Sequence, residues 1–485
     1  MIRCFGKKTG QLCLAGILVL LLTCSGPLMA TAGKGESVQP NIVIVLADDQ
    51  GWRDSGAYGN PDVQTPNIDQ LATEGLLFTH AFTATAMCAP TRQQLYTGLY
   101  PVRSGAYPQN SPVYPGTRSI AHYFSELDYR VGISGKRHYA PAESFPFESL
   151  NSPEAEYDKE RPEMDRIQAF VERDPEQPFL LLVTSRQPHM PWNRGDVHYS
   201  PEDLAVPADM PDTPETRAAL ANYYREVSDF DAELGQVMSI VKNAGVAGET
   251  VFIYTSEQGA MWPTGKWTLY DNGVRTAMVV RWPGVIKPGS RTGALVAYVD
   301  VVSTLVELAG GTAPDVDGSS FLGVLRGDSP THRDYVFGIH TNLGICNGSA
   351  YPIRSVRDSR YKLIINGNWE QAFQNNITHR DPADYYDSWR IAGESGDAYA
   401  AERHSAYRER PAKELYDIEN DPLELNNLAS SAGYRDTLDR LKKNLSAWLE
   451  SQGDIDLMLT EQSALERILP EGRMKLLTPK CDGKP

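Results

Sequence analysis

Four long runs of apolar residues along the chain predict strands that are buried on both faces. Their side chains do not alternate with polar ones, which is typical of strands in a parallel sheet covered by helices on both sides. The runs are NIVIVLADDQ (41–50), PFLLLVTS (178–185), TVFIYTSEQG (250–259) and AMVVRWPG (277–284). Between them, segments such as TPNIDQLATEGLLF carry apolar residues at helical spacing, and several end in glycine. The alternation predicts an α/β fold with a large, mostly parallel or mixed sheet sandwiched by helices.

The pattern changes in the last third of the chain. Around residues 311–332, Gly, Pro, Asp and Ser become frequent, which is typical of a crossing between domains. Beyond this segment, YPIRSVRDSRYKLIIN is strand-like, and YRDTLDRLKKNLSAWLE has the spacing of an amphipathic helix. We therefore expect a main domain over residues 38–325. A smaller C-terminal α+β domain over residues 326–485, with an antiparallel sheet and a terminal helix, would contribute to a substrate cleft.

The net charge of the chain argues against two classes of binding partner. The 485 residues carry a formal net charge of -16 at pH 7. A nucleic acid or an anionic membrane would repel such a protein, so we expect neither as a partner, although a local basic pocket remains compatible with this charge.

The N-terminal residues 1–32 are predicted to be an export signal. Arg3, Lys7 and Lys8 flank the start of the apolar run LCLAGILVLLL, and ATA offers small residues for cleavage. The run is too short for a membrane span. We expect a secreted or periplasmic protein without a membrane span after cleavage, and lipid attachment at Cys24 is the alternative.

Three cysteines remain beyond that signal: Cys88, Cys346 and Cys481. An oxidising compartment favours pairs, and whether Cys346 and Cys481 pair is left open. Cys88, in TATAMCAPTRQQLYTG, then needs another explanation. The chain contains no Cys-x-x-Cys, so a zinc site built on thiolates is not expected.

Oxygen donors follow two of the predicted strands. Asp48 and Asp49 end the first run, and Glu257 and Gln258 end the third. The carboxyl ends of parallel strands meet at one edge of a sheet, where sites are built. Carboxylate and amide oxygens gathered there can hold a hard divalent cation, Ca²⁺ or Mg²⁺.

Basic residues near these acids predict a site for an anion. Arg92 lies in what should be the first turn of a helix opened by Cys88, since Pro90 suits an early helix position. Lys136 and His138 occupy alternate positions of SGKRHY and would point to one side if that segment is extended. His189 lies in a proline-bracketed loop directly after a predicted strand, and Lys266 lies a few residues past Glu257. Singly, each could be a solvated or structural side chain. Together around a cation and a helix N-terminus, they form a cradle for a tetrahedral oxyanion.

CAPTR followed by LYTG resembles the signature of the type I sulfatases of the alkaline phosphatase superfamily, Cys-x-Pro-x-Arg with a downstream Thr-Gly. The resemblance extends through ADDQGW, GKRH, PHMP, TSEQG and KELYDIENDPLELNNLA, so it spans nearly all of the mature chain. The stretches SGAYGN, VPADMPDTPETRAAL and YPIRSVRDSRYKLI look most like the heparan N-sulfatase (sulfamidase) branch. The resemblance implies an alkaline-phosphatase-like fold.

In that family a maturing enzyme oxidises the cysteine to Cα-formylglycine, so the resemblance implies that Cys88 is the precursor of an aldehyde. The hydrated aldehyde would attack sulfur as the nucleophile. The resemblance also implies a Ca²⁺ site, with Mg²⁺ as the alternative. Its ligands would be the modified residue 88 together with Asp48, Asp49, Glu257 and Gln258. The family usually has Asp and Asn at the last two positions, so both side chains are one methylene longer here.

The resemblance gives roles to the basic residues as well. Arg92 and His138 would hydrogen-bond the hydrated aldehyde, and Glu257 is the candidate base. Lys136 and Lys266 would hold the sulfate oxygens. His189, alone or with Lys266, would protonate the departing alcohol or amine.

The substrate implied by the resemblance is a sulfated sugar or polysaccharide fragment, with sulfate on oxygen or nitrogen. His340, Asn347 and Arg354 are candidate sugar contacts, because they follow the domain crossing and precede a strand; ordinary loop polarity is the alternative. Two other functions stay open: a phosphomonoesterase or phosphonate hydrolase on the same fold, and a non-catalytic carbohydrate-binding relative.

Overall fold

The computed structural model describes residues 39–154, 161–345, 348, 350–379, 384–454 and 456. Residues from Gln39 onward form one compact unit. The predicted export signal, Cys346, Asn347 and Cys481 lie outside the described residues. Within the described part of the chain, no helix has the length and apolar character needed to cross a bilayer.

The strands run in chain order as follows: β1 Asn41–Ala47, β2 Leu76–Phe82, β3 Arg130–Gly135, β4 Glu148–Ser149, β5 Phe179–Thr184, β6 Thr250–Ser256, β7 Arg275–Arg281, β8 Ser290–Thr292, β9 Val296–Ala297, β10 Val336–His340, β11 Ile353–Arg357, β12 Tyr361–Asn366 and β13 Lys413–Asp417. The α-helices are α1 Pro66–Glu74, α2 Cys88–Thr97, α3 Pro101–Ser104, α4 Ile120–Glu126, α5 Met164–Glu172, α6 Pro214–Asn243, α7 Asp271–Val274, α8 Val299–Leu308, α9 Leu322–Arg326, α10 Asn376–His379, α11 Asp384–Glu394, α12 Ala398–Arg408 and α13 Arg435–Gln452.

The large sheet has the order β4-β3-β5-β1-β6-β7-β2-β8, and β9 pairs with β2. The strands from β4 to β6 are parallel, and β7 runs antiparallel to both of its neighbours, β6 and β2. The predicted α/β class with a mostly parallel, mixed sheet is therefore confirmed. All four apolar runs supply strands of this sheet, namely β1, β5, β6 and β7.

Both faces of the sheet are covered because the apolar runs have no polar face. In β1, Ile42, Ile44 and Leu46 belong to a core shared with α2, α4 and α8, whereas Val43 and Val45 belong to a core shared with α1, α5 and α6. Every residue of β1 is buried. Such a strand can lie only in the interior of a sandwich, with helices on both of its faces.

A second sheet lies in the C-terminal part of the chain. Its order is β10-β11-β12-β13, all antiparallel, and α13 packs against β11 and β12. The predicted antiparallel sheet and terminal helix are thus present, and the exact domain boundary at residues 325–326 stays a prediction. This sheet adjoins the loop before α2, where the Ile339 N–H donates to Ala84 O at 2.7 Å.

Three helices, α10 to α12, lie between β12 and β13 and were not predicted as such. α11 packs against α12 and against the long helix α6. In this contact the Trp389 indole Nε1 donates to Thr216 Oγ1 at 2.9 Å, and both side chains are buried. The insertion therefore covers the start of α6, the helix that faces the loop after β5.

Candidate active site

The carboxyl ends of parallel strands gather the candidate residues at one edge of the large sheet. Ala47 at the end of β1 pairs with Ser256 at the end of β6, so Asp48 and Glu257 leave neighbouring strands at the same level. The Glu257 N–H donates to Ala47 O at 3.0 Å, which continues the ladder beyond both strands. The two pairs of oxygen donors predicted from the sequence therefore start from adjacent points.

The strands on the other side of β1 supply Lys136 and His189. The last residue of β3 pairs with Thr184, the last residue of β5, and the Lys136 N–H donates to Thr184 O at 2.9 Å. The segment after β5 crosses the end of β1, where the Asp48 N–H donates to Gln187 O at 2.9 Å. Backbone hydrogen bonds alone thus fix the relative positions of the two loops.

Cys88 is the first residue of α2 and is buried, with 1% of its surface exposed. Pro90 lies in the first turn, as predicted, because a proline there loses no helical hydrogen bond. The Cys88 Sγ lies 4.0 Å from Asp48 Oδ1 and 3.3 Å from Gln258 Nε2. The thiol therefore faces the oxygen donors at the strand ends and forms no disulfide with any described residue.

Four side chains are arranged as metal ligands would be. One ligand atom from each lies within 4.8 Å of all the others, and the four residues are Asp48, Asp49, Cys88 and Glu257. All are buried. Burial raises the pKa of Glu257 well above its usual range, and the negative charge of Asp48 raises it further. A divalent cation would offset that repulsion, so the donor set fits a hard cation.

Gln258 completes this fit. Its Nε2 donates to Asp49 Oδ1 at 2.8 Å and to Glu257 Oε1 at 3.0 Å. Its Oε1 is buried and has no hydrogen-bond partner among the described residues. Because a buried carbonyl oxygen without a partner is costly, rotation of the amide toward a bound cation would satisfy it.

Each carboxylate is also paired with a buried lysine or arginine side chain. Lys136 Nζ lies 2.6 Å from Asp48 Oδ2, and Lys266 Nζ lies 2.6 Å from Asp49 Oδ2. Arg92 Nε lies 2.5 Å from Glu257 Oε2. Burial alone would raise the pKa of Asp48, but Lys136 first, and more weakly Arg92, hold it well below its usual range. The site is a closely packed set of buried acidic and basic side chains in which each acid has a basic partner.

The two histidines are held differently. His189 Nδ1 hydrogen-bonds Met190 O at 2.6 Å, its Nε2 lies 3.6 Å from Asp49 Oδ2, and 23% of its side chain is exposed. Burial lowers the pKa of His189 to about 4, and the charge of Lys266 acts in the same direction. His138 Nε2 hydrogen-bonds Asn110 Oδ1 at 2.7 Å, and burial lowers the pKa of His138 well below its usual range.

The backbone of this region is strained. Left-handed φ angles occur at Asp49 (66°), Asn110 (64°), His138 (47°) and Trp267 (70°). Such conformations cost of the order of 1–3 kcal/mol each for non-glycine residues and persist only where the surrounding structure enforces them. Four of the six non-glycine residues with left-handed φ in the described part of the chain thus lie at or beside this edge of the sheet.

The structure brings all ten predicted core residues to this edge: Asp48, Asp49, Cys88, Arg92, Lys136, His138, His189, Glu257, Gln258 and Lys266. Their individual roles stay predictions. Asn110, which holds His138, was missed, because a single asparagine in a loop between α3 and α4 carries no recognisable signal. Only the three-dimensional approach of that loop reveals it.

The predicted sugar contacts lie elsewhere. Arg354 and His340 are fully buried. Arg354 forms an ion pair with the equally buried Asp454, and its NH1 donates to His340 O at 3.2 Å. These contacts belong to the interior of the C-terminal sheet and favour a structural role for both residues. Asn347, the third candidate, is not among the described residues.

Comparisons with known proteins agree with this geometry. Residues 40–311 match the family model described as Sulfatase, and residues 262–390 match the one described as N-sulphoglucosamine sulphohydrolase, C-terminal. The chain is 35% identical to an ulvan-active sulfatase of Formosa agariphila over 93% of the chain and 90% of that protein. It is 30% identical to the N-sulphoglucosamine sulphohydrolase of Homo sapiens over 84% of the chain and 89% of that protein.

Among solved structures, a protein in complex with its substrate D-glucosamine-2-N,6-O-disulfate superposes with a TM-score of 0.65. The sequences are 19% identical, and the superposition covers 86% of this chain and 99% of that one. At that identity the likeness concerns the fold alone.

Proposed function

The chain belongs to the sulfatase family, and on this premise we propose that it hydrolyses the sulfate esters or sulfamates of sulfated saccharides with a formylglycine derived from Cys88 and a bound Ca²⁺. The observation that carries the proposal is the position of Cys88 at the start of α2, facing buried carboxylates and two buried lysines. The proposal includes export from the cytoplasm and a maturing enzyme as a transient partner.

The residues would divide the chemistry as follows. Asp48, Asp49, Glu257 and Gln258 would hold the cation. When bound, Ca²⁺ would supply positive charge beside residue 88, and the formylglycine would supply a hydrated aldehyde as nucleophile. Glu257 Oε2 pairs with Arg92, whereas Oε1 accepts from Gln258 Nε2 and would be available to the cation once that amide rotates. Arg92 also donates from NH1 to Lys136 O at 2.9 Å and so orients the lysine loop.

The lysines would receive the sulfate group. Burial would lower the pKa of Lys266, but the charge of Asp49 raises it above its usual range, so Lys266 stays protonated. Lys136 and Lys266 lie on two sides of the acidic cluster, one against Asp48 and one against Asp49. Two fixed ammonium groups in a water-poor site would offset the negative charge of the sulfate oxygens while the bond to the leaving atom breaks.

His189 would deliver the proton to that atom. Its Nδ1–H donates to Met190 O, so Nε2 faces the site and can deliver a proton only from the imidazolium form of the ring. The negative charge of Asp49, whose Oδ2 lies 3.6 Å from Nε2, favours uptake of that proton, and a bound sulfate group would favour it further. Of the three side chains proposed to contact the sulfate and the leaving group, Lys136 and Lys266 are 7% and 1% exposed, against 23% for His189. A leaving sugar therefore has to approach from the side of His189 rather than past the lysines.

The relative rates of hydrolysis of sulfate and phosphate esters test whether the enzyme acts on sulfur or on phosphorus. Purified wild-type protein, produced together with a maturing enzyme, should hydrolyse 4-nitrophenyl sulfate and sulfated saccharides far faster than 4-nitrophenyl phosphate. Cys88→Ala, which removes the side chain that becomes the aldehyde, should lose both sulfatase activities while remaining folded. Faster turnover of the phosphate or of a phosphonate ester would favour the phosphohydrolase instead, and binding without turnover of either would favour a carbohydrate-binding relative.

The substrate class rests on the relatives. A relative named for ulvan and another named for N-sulphoglucosamine are both similar to nearly the whole chain. We extend the proposal to fragments of sulfated polysaccharides, glycosaminoglycans included. Release of sulfate from a panel of defined saccharides, carrying either O-sulfate or N-sulfate, would decide between ester and sulfamate and would identify the sugar.

A further inference from the structure

A row of three acids on α6 faces the segment that carries His189. Glu226, Asp229 and Glu233 are spaced three and four residues apart, so they lie on one side of the helix. The segment of residues 185–194 leaves the end of β5 and passes over this row. Each of the three carboxyl groups accepts a hydrogen bond from it.

The contacts hold the segment on both sides of His189. Before the histidine, Ser185 Oγ donates to Glu233 Oε2 at 2.6 Å, and Gln187 Nε2 donates to Asp229 Oδ2 at 3.0 Å.

After the histidine, two successive backbone N–H groups, of Asn193 and Arg194, donate to Glu226 Oε1 at 2.7 and 3.0 Å. Four anchor points over ten residues leave the loop little freedom to shift.

Glu226 is the most unusual of the three. It is fully buried, and its Oε2 has no hydrogen-bond partner among the described residues. Burial raises the pKa of Glu226 to about 7, and that of Glu233 likewise. A buried carboxyl group costs stability unless it is hydrogen-bonded, and the hydrogen bonds of Glu226 come from the backbone after His189.

The ring of His189 depends on this backbone. Its Nδ1 bonds to the carbonyl oxygen of the next residue, Met190, so a shift of the segment turns the ring. The same segment holds the Asp48 N–H through Gln187 O. A displacement would therefore move Nε2 relative to the carboxylates at the end of β1.

We propose that Glu226, assisted by Asp229 and Glu233, is a positioning residue that sets His189 at the atom from which sulfate leaves. The inference rests on the proposed sulfatase function. It assigns Glu226 no direct contact with substrate, since the carboxyl group acts through the backbone of residues 193–194.

A purely structural role of Glu226 predicts a different kinetic result. Substrates with different leaving groups distinguish the two roles. A nitrophenolate leaves without a proton, whereas a sugar alcohol or amine needs one. A misplaced proton donor therefore slows the saccharide reaction selectively, because a misplacement of about 1 Å can cost on the order of 100-fold. A general loss of fold or of metal slows both reactions equally.

The test compares Glu226→Leu, which removes the acceptor and keeps a similar volume, with Glu226→Gln, which keeps an oxygen for both N–H groups. For each, kcat/KM is measured on 4-nitrophenyl sulfate and on a sulfated saccharide that the wild type hydrolyses. We expect Glu226→Leu to lose about 10- to 100-fold more on the saccharide than on the aryl sulfate. Glu226→Gln should restore most of the saccharide rate.

Equal losses on both substrates, or a Glu226→Gln variant as selectively impaired as Glu226→Leu, would overturn the positioning role. If Glu226→Leu does not fold, Ser185→Ala takes its place; this variant deletes the hydroxyl that donates to Glu233 and accepts from the Gln187 N–H. It must show the same selectivity in smaller measure, and the absence of that selectivity would equally overturn the role. A wild type that hydrolyses neither substrate would instead contradict the proposed function, so the two failures are distinguishable.

Discussion

Arg354 offers the sharpest contrast between a substrate contact and a structural ion pair. It was expected to bind sugar, but it is fully buried against Asp454, with NH2 3.1 Å from Oδ1 and a second contact from Nε. Arg354→Met keeps the length of the side chain and leaves Asp454 as an uncompensated buried charge. Removing one partner of such a pair costs about 3–5 kcal/mol.

The assay is urea unfolding followed by tryptophan fluorescence, together with KM for a saccharide measured on folded protein. Arg354→Met should unfold at a clearly lower urea concentration, and the KM of the folded fraction should stay unchanged.

A matched control lies on the same sheet. Arg360 pairs with Asp417 through Nε at 3.0 Å and NH2 at 2.7 Å, but 45% of its side chain is exposed. Arg360→Met should therefore change stability much less, because solvent screens the pair. A large rise in KM for Arg354→Met without loss of stability would refute the structural assignment and restore the sugar contact.

Two further perturbations test other parts of the structure. Removal of divalent cations by a chelator should lower the melting temperature of the wild type, and added Ca²⁺ should restore it. Ca²⁺ at 100 times its dissociation constant should stabilise the fold by about 2.7 kcal/mol. Gln258→Leu, whose side chain cannot bind a cation, should need more Ca²⁺ for the same stabilisation, and an unchanged Ca²⁺ titration would remove Gln258 from the ligand set. Burial raises the pKa of Asp54 to about 6, so its contribution to stability is complete below the unfolded pKa near 4 and is lost as the pH rises through about 6. Asp54→Asn, which retains an acceptor for Tyr223 Oη, should therefore gain stability relative to the wild type between pH 4 and pH 7, and parallel stability curves for the two proteins would contradict this assignment.

The sequence predicts those strands and site residues whose positions follow from a local residue pattern together with the geometry of a parallel sheet. An unbroken apolar run such as 41–47 can be satisfied only inside a covered parallel sheet, so the strand and the position of Asp48 at its end follow together. The same holds for β6 and Glu257. Cys88 was identified by its motif, and its place at a helix start follows from Pro90.

The rest depends on distant contacts that no local pattern records. His340 and Arg354 look like polar loop residues in the sequence, but pairing of β10 with β11 buries them beside Asp454, a hundred residues further along the chain from Arg354. Glu226 looks like an ordinary charged position of an amphipathic helix. Its burial follows from the loop after β5, whose path is set by tertiary packing.

Mass analysis of the peptide that contains Cys88, from protein produced with a maturing enzyme, tests the central claim most directly. Conversion of the thiol to an aldehyde replaces sulfur by oxygen with loss of two hydrogens, so the peptide should be about 18 Da lighter than its sequence mass. Sulfatase activity should rise in proportion to the converted fraction. An unmodified Cys88 in protein that still hydrolyses sulfate esters at full rate would contradict the account.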